Sequence, residues 1–466
     1  MQQRVPWSTK LAILSAGLLS FVGILVETSM NVTFPNLMRE FHVNLATIQW
    51  VTTGYLLLVT LVMSTTSYLI KRFTARKLFI TATLMCLIGT LVCASAHNFV
   101  LLMIGRLLEA VATGLSTPTL FHIIMSKVPT NKMGTYTGFA TMVTSFAPAL
   151  GPTYGGIVNN YVSWRWIFIG VLPLIVLIMI TGGLTINVKV QSMQQKFDWL
   201  GLLSLAPTLI ILVMSFDQAG AHGFWSWEFG LFLVITLICA GLFSWHLKVG
   251  KNQLLNFKIL QNPIIANRAV NFFILQFMNI GISFVIPILS EQVLGTNSMV
   301  AGLILLPGSL LGALVAPIAG NLYDHYDAFV PLSISNCSLI IGSLLFAIWT
   351  HQLNLILIVF FYCFMRGGFN LGYGNTMSDA SKYVDVMTKP DVNSLFNTLQ
   401  QYAGSLGTGI LSAIISTKQL VAPTGQFKLF TTKGCQLDFW LLVLLSLIAL
   451  MTTLISQHYR KKQAFN

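Results

Sequence analysis

Charge is what this sequence lacks. Asp, Glu, Lys and Arg together make up 8% of its 466 residues, against about 25% in a soluble domain. So few charges cannot cover a water-facing surface of that size, which excludes a large soluble fold. Acid is the scarcer sign, with 13 residues against 26 basic ones. Signatures of catalysis and nucleotide binding are missing as well. There is no P-loop, no nucleophile elbow, no His-Glu-x-x-His and no Cys-x-x-Cys among the six cysteines. Most links between apolar runs are under about 20 residues, too short for a soluble catalytic domain. The chain is therefore read as a non-enzyme with no cofactor, no metal site and no ATP site. If it moves a solute uphill, an ion gradient must drive the movement.

Apolar sequence is what fills the space, at 55% of all residues. Fourteen apolar runs recur from 11–34 to 436–456, each of about 18–24 residues and long enough to cross a hydrocarbon core of about 30 Å as a helix. The expected fold is an all-α polytopic membrane protein with 14 transmembrane helices. The first run follows Arg4 and Lys10 but lacks a small-residue cleavage site, so it reads as an uncleaved span. An even number of spans puts both termini on one side. With that side cytoplasmic, 19 of the 26 Lys and Arg lie inside, five lie outside, and Arg106 and Arg366 fall within spans. That bias obeys the positive-inside rule and fixes the expected topology. The net charge of +13 then faces anionic lipid headgroups and needs no nucleic acid. Five of the six cysteines lie in apolar runs, as small buried residues do.

A faint internal repeat divides the chain. Ser67–Phe73 (SYLIKRF) resembles Gly320–Tyr326 (GNLYDHY), and Gly151–Gly156 (GPTYGG) resembles Gly404–Gly409 (GSLGTG), both at an offset of 253. Arg106/Gly114 and Arg366/Gly374 repeat at an offset of 260. Three matches in order imply two six-span bundles, 1–190 and 259–466, with two extra central spans in 191–258. Parallel halves of this kind are a recurrent transporter plan.

Ionisable residues within a membrane default to function. Glu27 in span 1 and Arg106 and Glu109 in span 4 are the candidates. Counting 1.5 Å per residue, Glu27 and Arg106 both lie roughly 10–12 Å below the outer boundary, so neighbouring spans would let them meet. Arg106 and Glu109 share a helix face at i,i+3. One reading is a buried ion pair that only fixes helix packing. The other is a proton-coupling site, in which burial opposes and a nearby Arg favours the charged carboxylate; attraction of a cationic substrate can share the same residue. Ala147–Gly156 (APALGPTYGG) in span 5 has the small residues of a close packing seam, with Pro148 and Pro152 able to kink it. Lys71, Arg72 and Arg76 form a tight basic inside loop, readable as lipid anchoring or as a gate latch whose acidic partner is Asp324. Trp50, Tyr55, Trp164, Trp166 and Trp199 include interfacial anchors.

These stretches resemble the 14-span drug:proton antiporters of the major facilitator superfamily, over nearly the whole chain. GPTYGG matches that family's Gly-Pro-x-x-Gly-Gly antiporter motif, and Arg106–Gly114 (RLLEAVATG) is similar to its span-4 motif. Gln49–Leu57, Ser163–Phe168, Phe197–Leu205 and Asn397–Ile410 resemble other stereotyped stretches of the family. The resemblance implies two rocking bundles around a central cavity and proton-driven export of amphipathic, often cationic small molecules from a monomer in the bacterial cytoplasmic membrane. Gly151, Pro152, Gly155 and Gly156 would be the antiporter motif. Asn31, Trp50, Tyr55 and Gln400 would line the substrate cavity. The chain also departs from the family pattern. Ser67, Lys71 and Thr74 replace Gly, Asp and Gly in the span-2/3 loop, and Glu109 replaces a Gln. The usual span-1 acid position holds Val26, and Glu27 stands one residue on, a turn of about 100°. Two other jobs fit the same fold: a dedicated exporter of one endogenous metabolite or peptide, and a transport-dead sensor.

Overall fold

In the computed structural model, residues 5–188, 197–249, 254, 256–385 and 388–465 are described; within them the side chains of 67, 130–135, 137–139, 141–142, 144–145, 149, 324, 390 and 462–465 are not. Arg4, Lys132, Lys189, Lys196, Lys251 and Lys462, counted above on the inner side, fall outside that description in whole or in their side chains. The described residues are helical nearly throughout. We number the long helices α1 (Trp7–Ser29), α2 (Trp50–Arg72), α3 (Ala75–Ala94), α4 (Phe99–Lys127), α5 (Thr130–Tyr161), α6 (Leu172–Thr185), α7 (Trp199–His222) and α8 (Trp227–Val249). They continue as α9 (Pro263–Ile288), α10 (Leu306–Tyr326), α11 (Phe329–Trp349), α12 (Leu355–Ser381), α13 (Lys389–Leu420) and α14 (Phe427–Phe465).

Among the described residues, 12 helical segments are long and apolar enough to cross a membrane. The 32-residue helices α5 and α13 are not among those 12. Both are nevertheless packed into the molecule, α5 on α1 and α13 between α2, α7 and α9.

Local sequence explains the helix boundaries. Asparagine side chains cap the first turns at Asn98, Asn262 and Asn354, each accepting a backbone N–H. Thr74 does the same for α3 and Asp198 for α7. After Ser29 the chain tightens into a 3₁₀ turn, Met30–Thr33, and resumes as a short helix over Phe34–Phe41. Pro35 supplies the reason: it has no N–H for the carbonyl four residues back, at Asn31. The link between the last two helices is short. α13 runs to Leu420 and α14 starts at Phe427, because polar helix ends keep their backbone bonds after leaving the apolar slab.

Helix packing sorts the molecule into two groups. α1 lies on α4, α5 and α6, while α4 lies on α2 and α3. In the second group α9 lies on α12, α13 and α14, while α11 lies on α12 and α14. α7 packs on α8 and on α13; α8 is the least covered helix, with 6% of its apolar window buried and Leu237 and Trp245 exposed. A helix apolar all round and uncovered by protein is built to face lipid. The starts of the odd-numbered helices and the ends of the even-numbered ones lie at one face, the terminal face; their opposite ends form the far face.

Between the groups, the described hydrogen bonds lie toward the far face. Thr53 Oγ1 bonds Thr408 Oγ1 at 2.7 Å, and Ser405 Oγ donates to the Thr53 carbonyl at 3.0 Å. Phe34 meets Phe284 edge to face at 5.8 Å. Lys71, Arg72 and Arg76 are exposed at the terminal face, and none makes an ion pair among the described residues. Among the described residues, the hydrogen bonds that join the two groups thus gather at the far face.

Candidate functional site

The site begins with the packing of α3 on α4. Gly89 and Gly105 meet backbone to backbone: a Cβ on Gly89 would lie 2.7 Å from the Gly105 carbonyl oxygen and 2.9 Å from Glu109 Cγ. Only glycine permits this approach, and it sets Glu109 into the α3–α4 seam. One Glu109 carboxylate oxygen accepts from Thr90 Oγ1 at 2.8 Å, and the other receives Arg106 Nη1 at 2.7 Å. Arg106 is fully buried, and its guanidinium lies 4.1 Å from the Tyr55 ring centroid. A desolvated cation over an aromatic face is worth about 2 kcal/mol. The Tyr55 hydroxyl shares a 2.6 Å bond with Thr113 Oγ1 and reaches the Gly23 carbonyl at 3.3 Å.

Glu27 completes this cluster from α1. Its side chain is 5% exposed and lies in the electrostatic field of Arg106 and Tyr55. Among the described residues its carboxylate makes no hydrogen bond and no ion pair within 4.0 Å. Glu27, Arg106, Glu109 and Tyr55 therefore converge. The one-residue offset in span 1 does not turn Glu27 outward. Val26 is buried as well, at 2% exposure, in the apolar core. An ion such as Glu109 needs a partner in a medium this dry, and Arg106 supplies it. Glu27 is left as the carboxylate free to gain or lose a proton without breaking an ion pair.

The remaining candidates spread out. Asn31 accepts from Thr52 Oγ1 at 2.9 Å within the 3₁₀ turn after α1. Trp50 points to α7, donating its indole N–H to Asp217 at 2.8 Å. Gln400, on α13, accepts from the Tyr373 hydroxyl at 3.1 Å in the second group.

The span-5 glycines serve two different contacts. Gly151 and Gly155 pack on α1: a Cβ on either would strike Thr28 or the Ser29 backbone, and Ser29 Oγ donates to the Gly151 carbonyl at 2.8 Å. Gly156 and Pro152 face the short helix Ser298–Leu303 of the second group, where a Cβ on Gly156 would lie 3.3 Å from Gly302 Cα. Pro148 and Pro152 lie inside α5 without ending it.

Charges that sequence reasoning passed over gather at the terminal face of the second group. Asp379 receives Arg268 Nε at 2.6 Å and Arg460 Nη2 at 2.5 Å, with both Asp379 and Arg268 fully buried. Arg460 also holds Asp327 at 2.6 Å, and Lys382 approaches it at 3.7 Å. Partial burial opposes ionisation of Asp327, but the Ala328 N–H, Arg460 and Lys382 outweigh it and hold its carboxyl below the usual range. The side chain of Asp324 lies outside the described residues. One pair had a readable signal. The repeat offset carries Glu27 to within one residue of Asn279, which accepts from Arg366 in the second group.

The description of the Major Facilitator Superfamily matches this chain over residues 16–197 and 189–408. Lincomycin resistance protein LmrB of Listeria monocytogenes is 30% identical over 404 residues, covering 86% of this chain and 85% of that protein. Multidrug resistance protein B homolog of Mycobacterium tuberculosis is 26% identical over 422 residues, covering 86% of this chain and 77% of that one. Among solved structures, a bacterial homolog of the human lysosomal transporter Spinster, inward-facing and unoccupied, superposes with a TM-score of 0.68 over 97% of both chains at 12% identity. That likeness speaks to the fold alone.

Proposed function

The chain belongs to the Major Facilitator Superfamily, and from that premise we propose that it is a proton-coupled exporter of amphipathic, often cationic small molecules. The observation that carries this reading is Glu27, buried at 5% exposure beside Arg106 with no ion pair of its own. In this reading all 14 long helices span the membrane, as six-helix bundles over 1–190 and 259–466 joined by two spans in 191–258. Both termini face the cytoplasm of a bacterial cell, and the carrier works as a monomer. Sealed at the far face, it takes substrate from inside. A proton from outside neutralises Glu27 when the far face opens, which releases a cationic substrate and favours the return. Arg106 stays bound to Glu109 and sets the field that Glu27 feels. Lys71, Arg72, Arg76 and Asp324 latch the terminal face when it closes.

The experiment is ethidium efflux from proteoliposomes under an imposed pH gradient, read together with proton movement. Glu27→Gln is expected to leave ethidium bound but uncoupled, with drug-evoked proton movement lost. Normal coupled exchange in that variant would remove Glu27 from the mechanism. Absence of ethidium flux in the parent protein would favour the dedicated exporter or the sensor.

A further inference from the structure

Arg366 stands on α12, the fourth helix of the second group, as Arg106 stands on α4, the fourth of the first. It is 6% exposed, and its guanidinium is always charged. Arg106 and Arg268, the other two deeply buried arginines, each hold a carboxylate, at 2.7 and 2.6 Å. Arg366 does not: among the described residues no Asp or Glu lies within 4.0 Å of it. Its partners are the neutral Asn279 Oδ1 and the Phe369 ring, whose centroid lies 5.5 Å from the guanidinium carbon, and its Nε has no hydrogen-bond acceptor. A buried cation in this condition is costly unless something else completes it.

The surroundings suggest what completes it. Arg366, Asn279, Phe369 and Met278 line a small recess. Phe369 stacks on Tyr373 at 5.2 Å, and Tyr373 stacks in turn on the fully buried Phe272 at 5.4 Å, so a column of stacked rings stands beside the charge and fixes Phe369 in place. The residue after Asn279, Ile280, packs against the cluster built on Tyr55, so the recess adjoins the face where the two groups meet.

We propose that Arg366, together with Asn279, recognises an oxyanion, such as a carboxylate, on the transported amphipath. The unfilled Nε and the neighbouring N–H groups match the paired acceptors of a carboxylate, and Phe369, Met278 and Met365, which line the recess, give the adjacent apolar part an apolar, polarizable surface. Glu27 on one side and Arg366 on the other then make the path complementary to a zwitterion. The proposal rests on the export reading for the statement that the bound molecule is carried.

The test uses two dyes that share a ring system, rhodamine 19 with a free carboxylate and rhodamine 6G, its ethyl ester. Binding to the full-length protein in detergent is followed by fluorescence anisotropy. The expected result is tighter binding of rhodamine 19 by about tenfold or more, the worth of one charge-assisted hydrogen bond. Arg366→Gln removes that preference and leaves rhodamine 6G within about twofold; Arg366→Lys keeps part of it. Equal binding of the two dyes by the parent protein, or no binding of either, overturns the proposal. So does equal weakening of both dyes by Arg366→Gln, which marks a packing role. Should Arg366→Gln fail to fold, the parent comparison and Arg366→Lys decide alone. Failure of the export reading looks different: proton movement is lost while the dye preference stays.

Discussion

Arg106 and Arg366 stand on the fourth helices of their two groups, and their neighbours differ in kind. Around Arg106 are two carboxylates, Glu109 in contact and Glu27 nearby, with Tyr55 beneath the guanidinium. Around Arg366 are an amide and a phenyl ring: Asn279 accepts its bond, and Phe369, three residues on as Glu109 is from Arg106, lies 5.5 Å away. One half has neutralised its buried cation internally; the other has kept it available. The difference teaches that a duplicated frame can distribute charge unequally, with an ion pair and a second acid on one side and a positive charge without a carboxylate on the other.

Truncating the two arginines separately is the strongest way to break this comparison. Arg106→Met strands Glu109 as a buried ion and should cost about 3–5 kcal/mol, seen as a large drop in Tm of the purified protein. Arg366→Met leaves only a neutral amide unpaired, a cost of about 1–3 kcal/mol. Equal drops would show that the two sites are electrostatically alike. The contact between the halves comes next. Gly156→Ala drives a methyl group into Ser298, and Gly155→Ala drives one into Ser29; overpacking costs about 1–3 kcal/mol in either case. The two should part company in labelling. Gly156→Ala is expected to raise maleimide labelling of a cysteine placed at Thr408, and Gly155→Ala to leave it unchanged. Identical labelling in both variants would deny Gly156 its part in the seal.

Asn279→Asp sharpens the comparison by giving Arg366 the carboxylate it lacks. It should raise Tm and lower rhodamine 19 binding about tenfold, the scale of a hydrogen bond to a charged group. Unchanged affinity would mean that the dye does not meet Arg366. The smallest effect belongs to Asp327. Its folded pKa is depressed, so its contribution is present above the usual carboxylate pKa of about 4 and is lost as pH falls through the lower folded value. Asp327 is 55% exposed, which limits the loss in Asp327→Asn at pH 7 to under about 1 kcal/mol. The gap between parent and variant should close below pH 4; a gap that widens there would reverse the sign.

The helices were legible because a hydrocarbon core demands long apolar runs, and Glu27, Arg106 and Glu109 stood out against that background. Their shared depth, counted in residues, was enough to bring them together. Arg366 was visible only as a repeat marker, because its partner Asn279 carries no charge. Trp50 reads as a cavity or interface residue until Asp217 is seen across from it, and nothing local in the sequence couples α2 to α7. The span-5 glycines announced a seam but not its two partners, since Gly156 and Gly302 meet from opposite halves. Lys418, Lys428 and Lys433 stand on helix ends that no apolar run marks, because hydropathy follows the bilayer and not the backbone hydrogen bonds.

The bond from Trp50 to Asp217 has a mechanical consequence. α7 is fastened to α13 by Tyr402 to the Leu209 carbonyl and by Thr417 to the Ala219 carbonyl, and by Gly220 lying on Ala413. Any movement that parts Thr53 from Thr408 carries α7 away with α13, as a passenger of the second half. The indole N–H of Trp50 must then let go of its carboxylate. Gln49, just before α2, bonds the same carboxylate, so in the export reading the two bonds together are made when the far face is shut and broken when it opens.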